Sequence, residues 1–524
     1  MHCPSIPLSK HKMAEQKCEV CRKPAKQFCS SCREVFYCSR DCQKQDWKTH
    51  KAKCKPFVIK THPVYGRYMV ASRDIRAGEV ILKEPHLVIG PKQRSAPVCL
   101  GCHKSVTGSY ICKGCNFPVC APSCEISKYH KAECQVLARA TGKIRIDNMS
   151  AAHPAYECIL PLRCILLKES DPKKWEEIRN MQDHVEDIKN TELHNVIQRN
   201  TVEFLKHYLK FDGVDSEEVY RVCGILMTNS FELKHHGTKV RGLYAQSAMM
   251  AHDCIPNTKH TFETDSTMIL RATRVIPKGS AITSTYTNTL WNTLQRRKQI
   301  KVAKFFLCNC RRCSDATELG THLSTLVCSQ CGGDVVSTKP LDMDASWACT
   351  KCNQSILGRT VFWGNQQLYK ELRGFDSSTA RPLEQFLEHY QKALHPRHWF
   401  FMEAKFAIVK MFGNHPNYRY RDLSREQVEK KVSYCRELLE LADVIDPGLS
   451  LFRGTLLFEL QAALVALAKI LLSNEIITKE KTQDYMSEAV TLLHEASEIL
   501  KHEPEMESGG LDAKLKALSD ELDL

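Results

Sequence analysis

Residues 18–54 read CEVCRKPAKQFCSSCREVFYCSRDCQKQDWKTHKAKC and concentrate cysteine in one short segment. Eight potential metal ligands occur there in the order C-x2-C, C-x2-C, C-x3-C and H-x3-C: Cys18, Cys21, Cys29, Cys32, Cys38, Cys42, His50 and Cys54. A C-x2-C turn presents two sulfur atoms to one tetrahedral ion, so eight ligands serve two zinc ions. Chance explains so dense a pattern poorly. The segment therefore predicts a two-zinc finger that needs no large hydrophobic core.

The same spacing of eight ligands recurs further along the chain, at Cys99, Cys102, Cys112, Cys115, Cys120, Cys124, His130 and Cys134. A repeat of all eight predicts two more structural zinc ions. Outside the ligands the two copies differ. Tyr129 directly precedes His130, and the Gln-x-x-x-Trp segment that ends at Trp47 has no counterpart in the second copy.

Two further cysteine clusters follow. The group Cys308-x-Cys310-x2-Cys313 supplies three ligands and needs a fourth, for which Cys254 is the candidate. A C4 zinc ribbon is predicted from a second group: Cys328, Cys331, Cys349 and Cys352. These clusters bring the expected number of zinc ions to about six. The remaining cysteines are expected to be ordinary thiols, most of them in apolar surroundings: Cys3, Cys158, Cys164, Cys223 and Cys435.

Composition limits the class of protein. The chain has 524 residues and 27 cysteines, and its first thirty residues lack an apolar core, so we expect no secretory signal peptide. Reduced zinc-binding thiols are then more probable than disulfides, in the cytoplasm and nucleus. The longest apolar run, 456–472, is interrupted by Glu459 and Lys469. We interpret it as a buried helix that is too short and too charged to span a bilayer.

The formal charge of +14 invites a nucleic-acid interpretation. However, 22 zinc-bound thiolates remove 22 charges and six Zn²⁺ ions return 12, which leaves about +4. So balanced a charge gives little support for binding to a phosphate backbone, and we expect no direct nucleic-acid binding. Direct DNA binding through the fingers is the weakest of the alternatives considered.

Periodicity indicates both strands and helices. Residues 66–82 predict two strands joined by a turn, and a second β-rich block covers about 238–287, around a turn at 277–279. The segment 150–235 between them is predicted to be helical, including 201–205 and 217–231.

The C-terminal third carries no metal pattern and is predicted to be helical. Helices are expected to open at Pro382 and at Ser424, where Gln427 completes a capping box. Two more are expected at about 455–473 and 482–501. No clear 34-residue repeat period is present.

A set of short motifs occurs in a fixed order between the zinc clusters: Gly66-Arg67, Asn229-Ser230-Phe231, Gly242-Leu243-Tyr244, His252-x-Cys254-x-Pro256-Asn257, Tyr286 and the Cys308–Cys313 cluster. Together with the first finger, this order resembles the SMYD family of SET and MYND domain lysine methyltransferases, in particular its arthropod SmydA-like members. The resemblance implies an α+β multidomain fold. Its parts are a split SET β-fold with an inserted MYND zinc finger, an extra N-terminal MYND finger, a zinc-bound post-SET segment and ribbon, and a helical TPR-like C-terminal domain.

The resemblance also implies domain boundaries. We expect an N-terminal MYND finger, the first part of the SET domain, a second MYND-like finger, a helical SET insert, the SET core, a post-SET and ribbon segment, and the TPR-like region: 1–56, 57–98, 99–134, 135–237, 238–290, 291–359 and 360–524.

In the first finger the resemblance implies interleaved zinc ligands. Cysteines 18, 21, 38 and 42 would bind one ion, and residues 29, 32, 50 and 54 the other. Gln45 and Trp47 correspond to positions beside a peptide-binding groove, although Trp47 could equally pack against the finger.

For catalysis, the resemblance implies S-adenosylmethionine as the methyl donor and Tyr286 as the tyrosine at the transfer point. The cofactor-binding positions would be Arg67, His184, Asn229, His252 and Phe306. His184 could equally be a surface histidine. Two departures from the family pattern matter: Ala251 replaces a cofactor-binding asparagine, and Lys304 replaces a channel tyrosine. Lys304 would either repel the substrate or point to solvent.

The leading hypothesis is therefore a protein-lysine methyltransferase that acts on a histone or another protein, in gene regulation. The alternative is a catalytically impaired scaffold or transcriptional corepressor that binds peptide partners through the first finger. Ala251 and Lys304 favour the alternative. The residues that favour the enzyme are Tyr286, His252, Asn229 and Phe306. A monomer without membrane attachment is expected in either case.

Overall fold

The computed structural model describes residues 16–29, 35–63, 66–142, 144–376 and 378–503. The predicted ligand Cys32 and the predicted free thiol Cys3 lie outside these residues.

The strands of the described residues are short, and all belong to small sheets. They are β1 Gln27–Phe28, β2 Phe36–Tyr37, β3 Phe57–His62, β4 Gly66–Ala71, β5 Val80–Glu84, β6 Val88–Pro91, β7 Phe231–His235, β8 Thr238–Leu243, β9 Ala251–His252, β10 Thr258–Phe262, β11 Met268–Ala272, β12 Thr283–Ser284, β13 Leu326–Val327, β14 Asp334–Ser337, β15 Trp347–Cys349 and β16 Ser355–Ile356.

The helices dominate the middle and the C-terminal part of the chain. They are α1 Arg40–Cys54, α2 Pro122–Glu125, α3 Lys131–Leu137, α4 Ile159–Ser170, α5 Pro172–Arg179, α6 Val185–Ile188, α7 Glu192–Ile197, α8 Ser216–Asn229, α9 Thr293–Lys304, α10 Arg311–Ser314, α11 Gly358–Gly374, α12 Arg381–Tyr390, α13 Trp399–Met411, α14 Arg425–Ile445, α15 Leu451–Ser473 and α16 Lys479–Leu500. A π-helical segment, Gln198–Tyr208, follows α7.

Four small sheets form the β-rich part of the molecule. β3 pairs with β4, β11 lies between β5 and β10, and β8 lies between β6 and β7, with all of these pairings antiparallel. The fourth pairing, of β9 with β12, is parallel and sets His252 opposite Ser284. Parallel pairing needs a long connection, and here it joins two segments that are distant in sequence. This pairing places His252 beside Tyr286, which follows β12 by two residues.

The two cysteine-rich segments are embedded differently. The first has a small core of its own in which Cys18, Cys29, Tyr37 and Cys54 are buried. The second shares one core with the helical region, because Leu100, Phe117 and Val119 belong to the same buried cluster as residues of α4 and α8. The second segment is therefore part of the central body of the protein.

The C-terminal helices pack against one another in chain order, with α15 between α14 and α16. Ser424 and Gln427 form the predicted capping box at the start of α14. The helices α11 and α13 were not predicted.

The sequence-based statement that 456–472 is too short to cross a membrane is wrong. α15 has 23 residues and is, by length and composition alone, apolar enough to do so. Its side chains Leu456, Leu460 and Leu464 are nevertheless buried in the protein core, as expected for a buried helix.

Other predictions are confirmed in part. The strands and turn of 66–82 are present, with Gly78 at a positive φ of 78°. The second β block is less regular than predicted, since only Thr283–Ser284 forms a strand after the turn. Helix α8 ends at Asn229, and Phe231 begins β7 instead of continuing the helix.

Candidate active site and metal centres

Five groups of four residues bring their ligand atoms within 4.8 Å of one another. They are Cys18, Cys21, Cys38 and Cys42; Cys99, Cys102, Cys120 and Cys124; Cys112, Cys115, His130 and Cys134; Cys254, Cys308, Cys310 and Cys313; and Cys328, Cys331, Cys349 and Cys352. In the first finger, Cys29 and Cys54 lie with their sulfur atoms 3.4 Å apart, and His50 is buried. The described cysteines are all free thiols.

The spacing of these sulfur atoms fits zinc. A Zn–S bond of about 2.3 Å in a tetrahedron places two sulfurs about 3.8 Å apart. In the ribbon, Cys328 and Cys352 are 3.6 Å apart, and Cys331 and Cys349 are 3.5 Å apart. The sulfur of Cys254 lies 3.9 Å from that of Cys308 and 3.5 Å from that of Cys313. It therefore occupies the position of the fourth ligand that the three-cysteine cluster needs. Thiolate-rich, tetrahedral groups of this kind suggest zinc.

The second finger contains a buried carboxylate that sequence reasoning missed. His130 Nε2 lies 3.4 Å from the sulfurs of both Cys112 and Cys115, while its Nδ1 lies 3.0 Å from Glu133. Glu133 also accepts two hydrogen bonds from Arg163 of α4, at 2.6 and 2.8 Å. A carboxylate behind a histidine ligand fixes the ring tautomer and orientation. The H-x-x-E spacing and a lone arginine within an apolar helix were the available signals.

A second buried ion cluster supports the Cys254 site. Arg296 of α9 donates to Glu318 at 2.7 Å and also to the sulfurs of Cys254 and Cys313, at 3.2 and 3.4 Å. A zinc ion with four thiolates carries a net charge of about −2, so an adjacent guanidinium reduces the cost of burying it. Arg312 shares the Glu318 carboxylate at 3.0 Å. These residues were also missed, because spacing along the chain does not show which charged side chains fold back onto the cysteine cluster.

The predicted cofactor-binding residues converge from five parts of the chain. The guanidinium of Arg67, in β4, donates to the carbonyl of Asn180. Asn229, at the end of α8, donates to the carbonyl of Gln182 at 2.8 Å. His184 has its ring 5.0 Å from that of Phe305, at the end of α9, and its Nδ1 lies 2.8 Å from Asp187. The segment 180–184 therefore links β4, α8 and the end of α9.

His252, Tyr286 and Phe306 form the other half of this site. The ring of His252 lies 5.1 Å from that of Tyr286 and 6.1 Å from that of Phe306, whose side chain is 38% exposed. The backbone N–H of Tyr286 donates to His252 Nδ1 at 3.1 Å, which assigns the ring proton to Nε2, 3.4 Å from the sulfur of Cys254. Burial lowers the pKa of His252 to about 4, so the ring is neutral at physiological pH. The histidine thus connects the Cys254 cluster to Tyr286.

Tyr286 is largely buried, and its hydroxyl donates to the carbonyl of Met250. Burial raises the pKa of Tyr286 to about 12, so the hydroxyl stays protonated. Thr228 directly precedes Asn229 in the chain, and Thr287 directly follows Tyr286. The side-chain hydroxyls of both threonines are buried and have no hydrogen-bond partner among the described residues. Unpaired buried hydroxyls next to Asn229 and Tyr286 fit a site that a polar ligand completes.

The two departures from the family pattern lie in the same region. Ala251 is in β9, opposite Thr283, and has no side-chain amide to offer a ligand. Lys304 does not point to solvent. Its Nζ donates to the carbonyls of Met227, at 3.4 Å, and Thr228, and lies 5.3 Å from the centre of the Tyr286 ring.

The two residues predicted to lie beside a peptide-binding groove are on the surface of the first finger. Gln45 is exposed, and Trp47 is 41% exposed with its ring 6.1 Å from that of His50. Trp47 therefore packs against the finger with one part of its ring and leaves another part accessible.

Comparison with known proteins agrees with this arrangement. Residues 18–54 match the MYND finger and residues 66–287 match the SET domain, so the second cysteine cluster lies within the SET match. SET domain-containing protein SmydA-8, isoform A, of Drosophila melanogaster is 34% identical over 311 residues, which are 56% of this chain and 64% of that protein.

More distant relatives are named as lysine methyltransferases. Histone-lysine N-methyltransferase ASHR1 of Arabidopsis thaliana is 26% identical over 272 residues, 48% of this chain and 54% of that protein. Human N-lysine methyltransferase SMYD2 is 22% identical over 305 residues, 57% of this chain and 50% of that protein. The chain thus spans less than two thirds of the length of each of these three relatives. The chain therefore carries a MYND finger and a SET domain, and it is similar to the SmydA-8 protein and, more distantly, to the lysine methyltransferases ASHR1 and SMYD2.

Proposed function

We propose that the protein transfers a methyl group from S-adenosylmethionine to the side-chain amine of a protein lysine. The observation that carries the proposal is the convergence of His252, Tyr286 and Phe306 with the end of α8 and the segment 180–184. The relatives named as lysine methyltransferases support it.

In this proposal Arg67, His184, Asn229, His252 and Phe306 hold the cofactor. The exposed face of Phe306 suits the flat adenine ring, and the unpaired Thr228 and Thr287 hydroxyls suit polar groups of the ligand. When bound, S-adenosylmethionine supplies an electrophilic methyl group.

Tyr286 would orient the acceptor amine at the transfer point. A lysine has an ordinary pKa near 10.4 and must lose its proton before it can act as a nucleophile. Burial next to the neutral rings of His252 and Tyr286 disfavours the charged amine. A hydroxyl held by the Met250 carbonyl keeps a fixed position, and orientation of this kind can supply several kcal/mol of rate enhancement.

Similarity to SMYD proteins also supports a more detailed division of the chain into domains and zinc sites. We propose that residues 99–134 are a finger inserted into a split SET domain, that the Cys254 cluster is the post-SET zinc site, and that 360–524 form a TPR-like region. The protein would then bind six zinc ions. Native mass spectrometry should find six ions per chain, and four or fewer would refute the assignment of two-zinc fingers.

The proposal also covers the molecules with which the protein interacts. The substrate would be a lysine of a histone or another protein, and short peptides would bind the first finger beside Gln45 and Trp47. We propose a monomer in the cytoplasm and nucleus that does not bind nucleic acid directly.

The direct test is transfer of labelled methyl groups from S-adenosylmethionine to a lysine peptide array. Replacement of Tyr286 by Phe should lower transfer about 100-fold, because it removes a positioned hydroxyl from the transfer point. Tyr208→Phe, in the π-helical segment, removes a hydroxyl that bonds to Gly142 and should leave transfer unchanged. Equal transfer by wild type and Tyr286→Phe would refute the role of Tyr286.

A further inference from the structure

Lys304 lies at the proposed transfer point and has no carboxylate partner within the part of the chain that the structure describes. Among the described residues, its hydrogen-bond acceptors are the carbonyls of Met227 and Thr228. These carbonyls belong to the last turn of α8, the negative end of the helix dipole. The ring of Tyr286, 5.3 Å away, adds a cation–π contact. The ammonium is therefore held in a fixed position beside Tyr286 and Asn229.

A positive charge fixed at this position weakens the binding of a positively charged ligand relative to a neutral one. S-adenosylmethionine carries a positive sulfonium, whereas its product S-adenosylhomocysteine is a neutral thioether, and the proposed site brings that sulfur atom to Tyr286. Like charges repel strongly where water is largely excluded. We infer that Lys304 sets the ligand preference of this site, so that at neutral pH it binds the neutral thioether more tightly than the sulfonium. This inference rests on the proposed function, because it requires the adenosyl ligand to occupy the site.

The preference should depend on pH. Burial, aided by the positive charge of Arg241, lowers the pKa of Lys304 to about 8. The other groups around the amine keep their charge state between pH 7.5 and 9: Tyr286 stays protonated, His252 stays neutral and Arg241 stays charged. As the pH rises through 8, Lys304 loses its charge, and the disadvantage of the sulfonium should disappear.

The test is calorimetric titration of the zinc-loaded full chain with S-adenosylmethionine and with S-adenosylhomocysteine, at pH 7.5 and pH 9. The wild type should bind the thioether roughly ten-fold or more tightly at pH 7.5, a preference of about 1.4 kcal/mol. The ratio should fall below about three-fold at pH 9, and in Lys304→Met at both pH values. Because the same two ligands are compared in both proteins, the effect of the extra methyl group cancels. Lys301→Met, which removes an exposed lysine of the same helix, should behave as the wild type.

The outcomes separate the inference from the function on which it rests. Binding of both ligands with the same ratio in wild type and Lys304→Met, at both pH values, would overturn the inference and leave the cofactor site intact. If neither ligand binds the wild type or Lys304→Met, the proposed function and the inference are both overturned. Peptide mapping that finds a methyl group added to Lys304 would also overturn it, since the amine would then be an acceptor instead of a fixed charge.

Discussion

At the scale of single residues, Glu133 shows how a buried charge can serve a metal centre. Its carboxylate is fully buried and lies between the His130 ring and the guanidinium of Arg163. A buried carboxylate is costly unless it is paired and hydrogen-bonded, and here both conditions are met. The arrangement leaves His130 Nε2 free to face the sulfurs of Cys112 and Cys115.

Replacement of Glu133 by Gln should therefore weaken zinc binding in the second finger about ten-fold or more, because the ring of His130 loses its charged acceptor. The measurement is native mass spectrometry after challenge with a graded concentration of chelator. The variant should lose one ion at a lower chelator concentration than the wild type. Asp147→Asn, which changes an exposed carboxylate, is the control. Identical release curves for Glu133→Gln and Asp147→Asn would contradict the argument.

Burial of Asp446 disfavours the charged form of its carboxyl group. It follows α14, and burial raises its pKa to about 6, above an ordinary value of 3.8. A carboxyl group with a raised pKa binds more protons in the folded state, so its stability contribution is full below pH 3.8 and is lost as the pH rises through 6. Asp446→Asn should raise the unfolding free energy at pH 7.5 by about 3 kcal/mol.

The gain from Asp446→Asn should shrink as the pH falls from 7.5 to 5, where the wild-type carboxyl is largely protonated. Denaturant unfolding at both pH values, followed by helix content, measures the difference. A gain that is the same at both pH values would show that burial of the charge is not its cause. Asp422→Asn changes an exposed carboxylate that precedes α14 and is the control.

At the scale of elements, helix α8 positions the segment 180–184 through a glycine. A Cβ atom on Gly224 would lie 2.0 Å from the carbonyl oxygen of Asp183, which is far closer than atoms can approach. Only glycine allows α8 to approach this segment, which bonds to Arg67 and carries His184. The position of α8 therefore determines the position of the segment 180–184 at the proposed cofactor site.

Gly224→Ala should therefore displace the segment 180–184. We expect a loss of about 1–3 kcal/mol in unfolding free energy and weaker binding of S-adenosylhomocysteine. Gly213→Ala, just before α8, has open space around the new atom and should change neither quantity. Calorimetry with both variants makes the comparison. Unchanged ligand binding by a destabilised Gly224→Ala would mean that the segment does not contribute to the site.

The Cys254 cluster ties β9 to the end of α9, and so holds His252 close to Phe306. The zinc ribbon has four cysteines of the same kind but none of the proposed site residues. Cys310→Ser and Cys331→Ser each remove one thiolate, one from each cluster. Both variants should lose one zinc ion, but only Cys310→Ser should weaken S-adenosylhomocysteine binding, by about ten-fold or more, because Phe306 is no longer held in place. Equal affinities in the two variants would contradict a link between the cluster and the cofactor site.

At the scale of the whole molecule, hydrogen bonds join the helical C-terminal part to the β-rich part. Lys259 of β10 donates to the carbonyl of Ile499 and to Glu503, both at 2.9 Å. The backbone N–H of Leu449 donates to the carbonyl of Thr273 at 2.9 Å. A Cβ on Gly448 would lie 2.3 Å from that same carbonyl, so the two parts approach as closely as backbones can. The helical part is therefore positioned as a wall of the β-rich body.

The sequence by itself determined the features that depend on neighbours along the chain. Cysteine spacing within short turns predicted the ligand groups, since a C-x2-C turn brings two sulfurs together whatever surrounds it. The capping box at Ser424 and the strands around Gly78 are local in the same sense. Hydrophobic periodicity likewise predicted α14 and α16, although not their full lengths.

Only the tertiary structure decided the contacts between distant residues. The contact of Arg296 with the sulfurs of Cys254 and Cys313, the parallel pairing of β9 with β12, and the burial of Glu133 against Arg163 each join segments from different elements. Lys304 is the plainest case, because the sequence left open whether its amine faces solvent or the channel. Its direction depends on where the carbonyls at the end of α8 lie, and packing of the whole chain sets that position, since a local pattern carries no information about partners so far away in sequence.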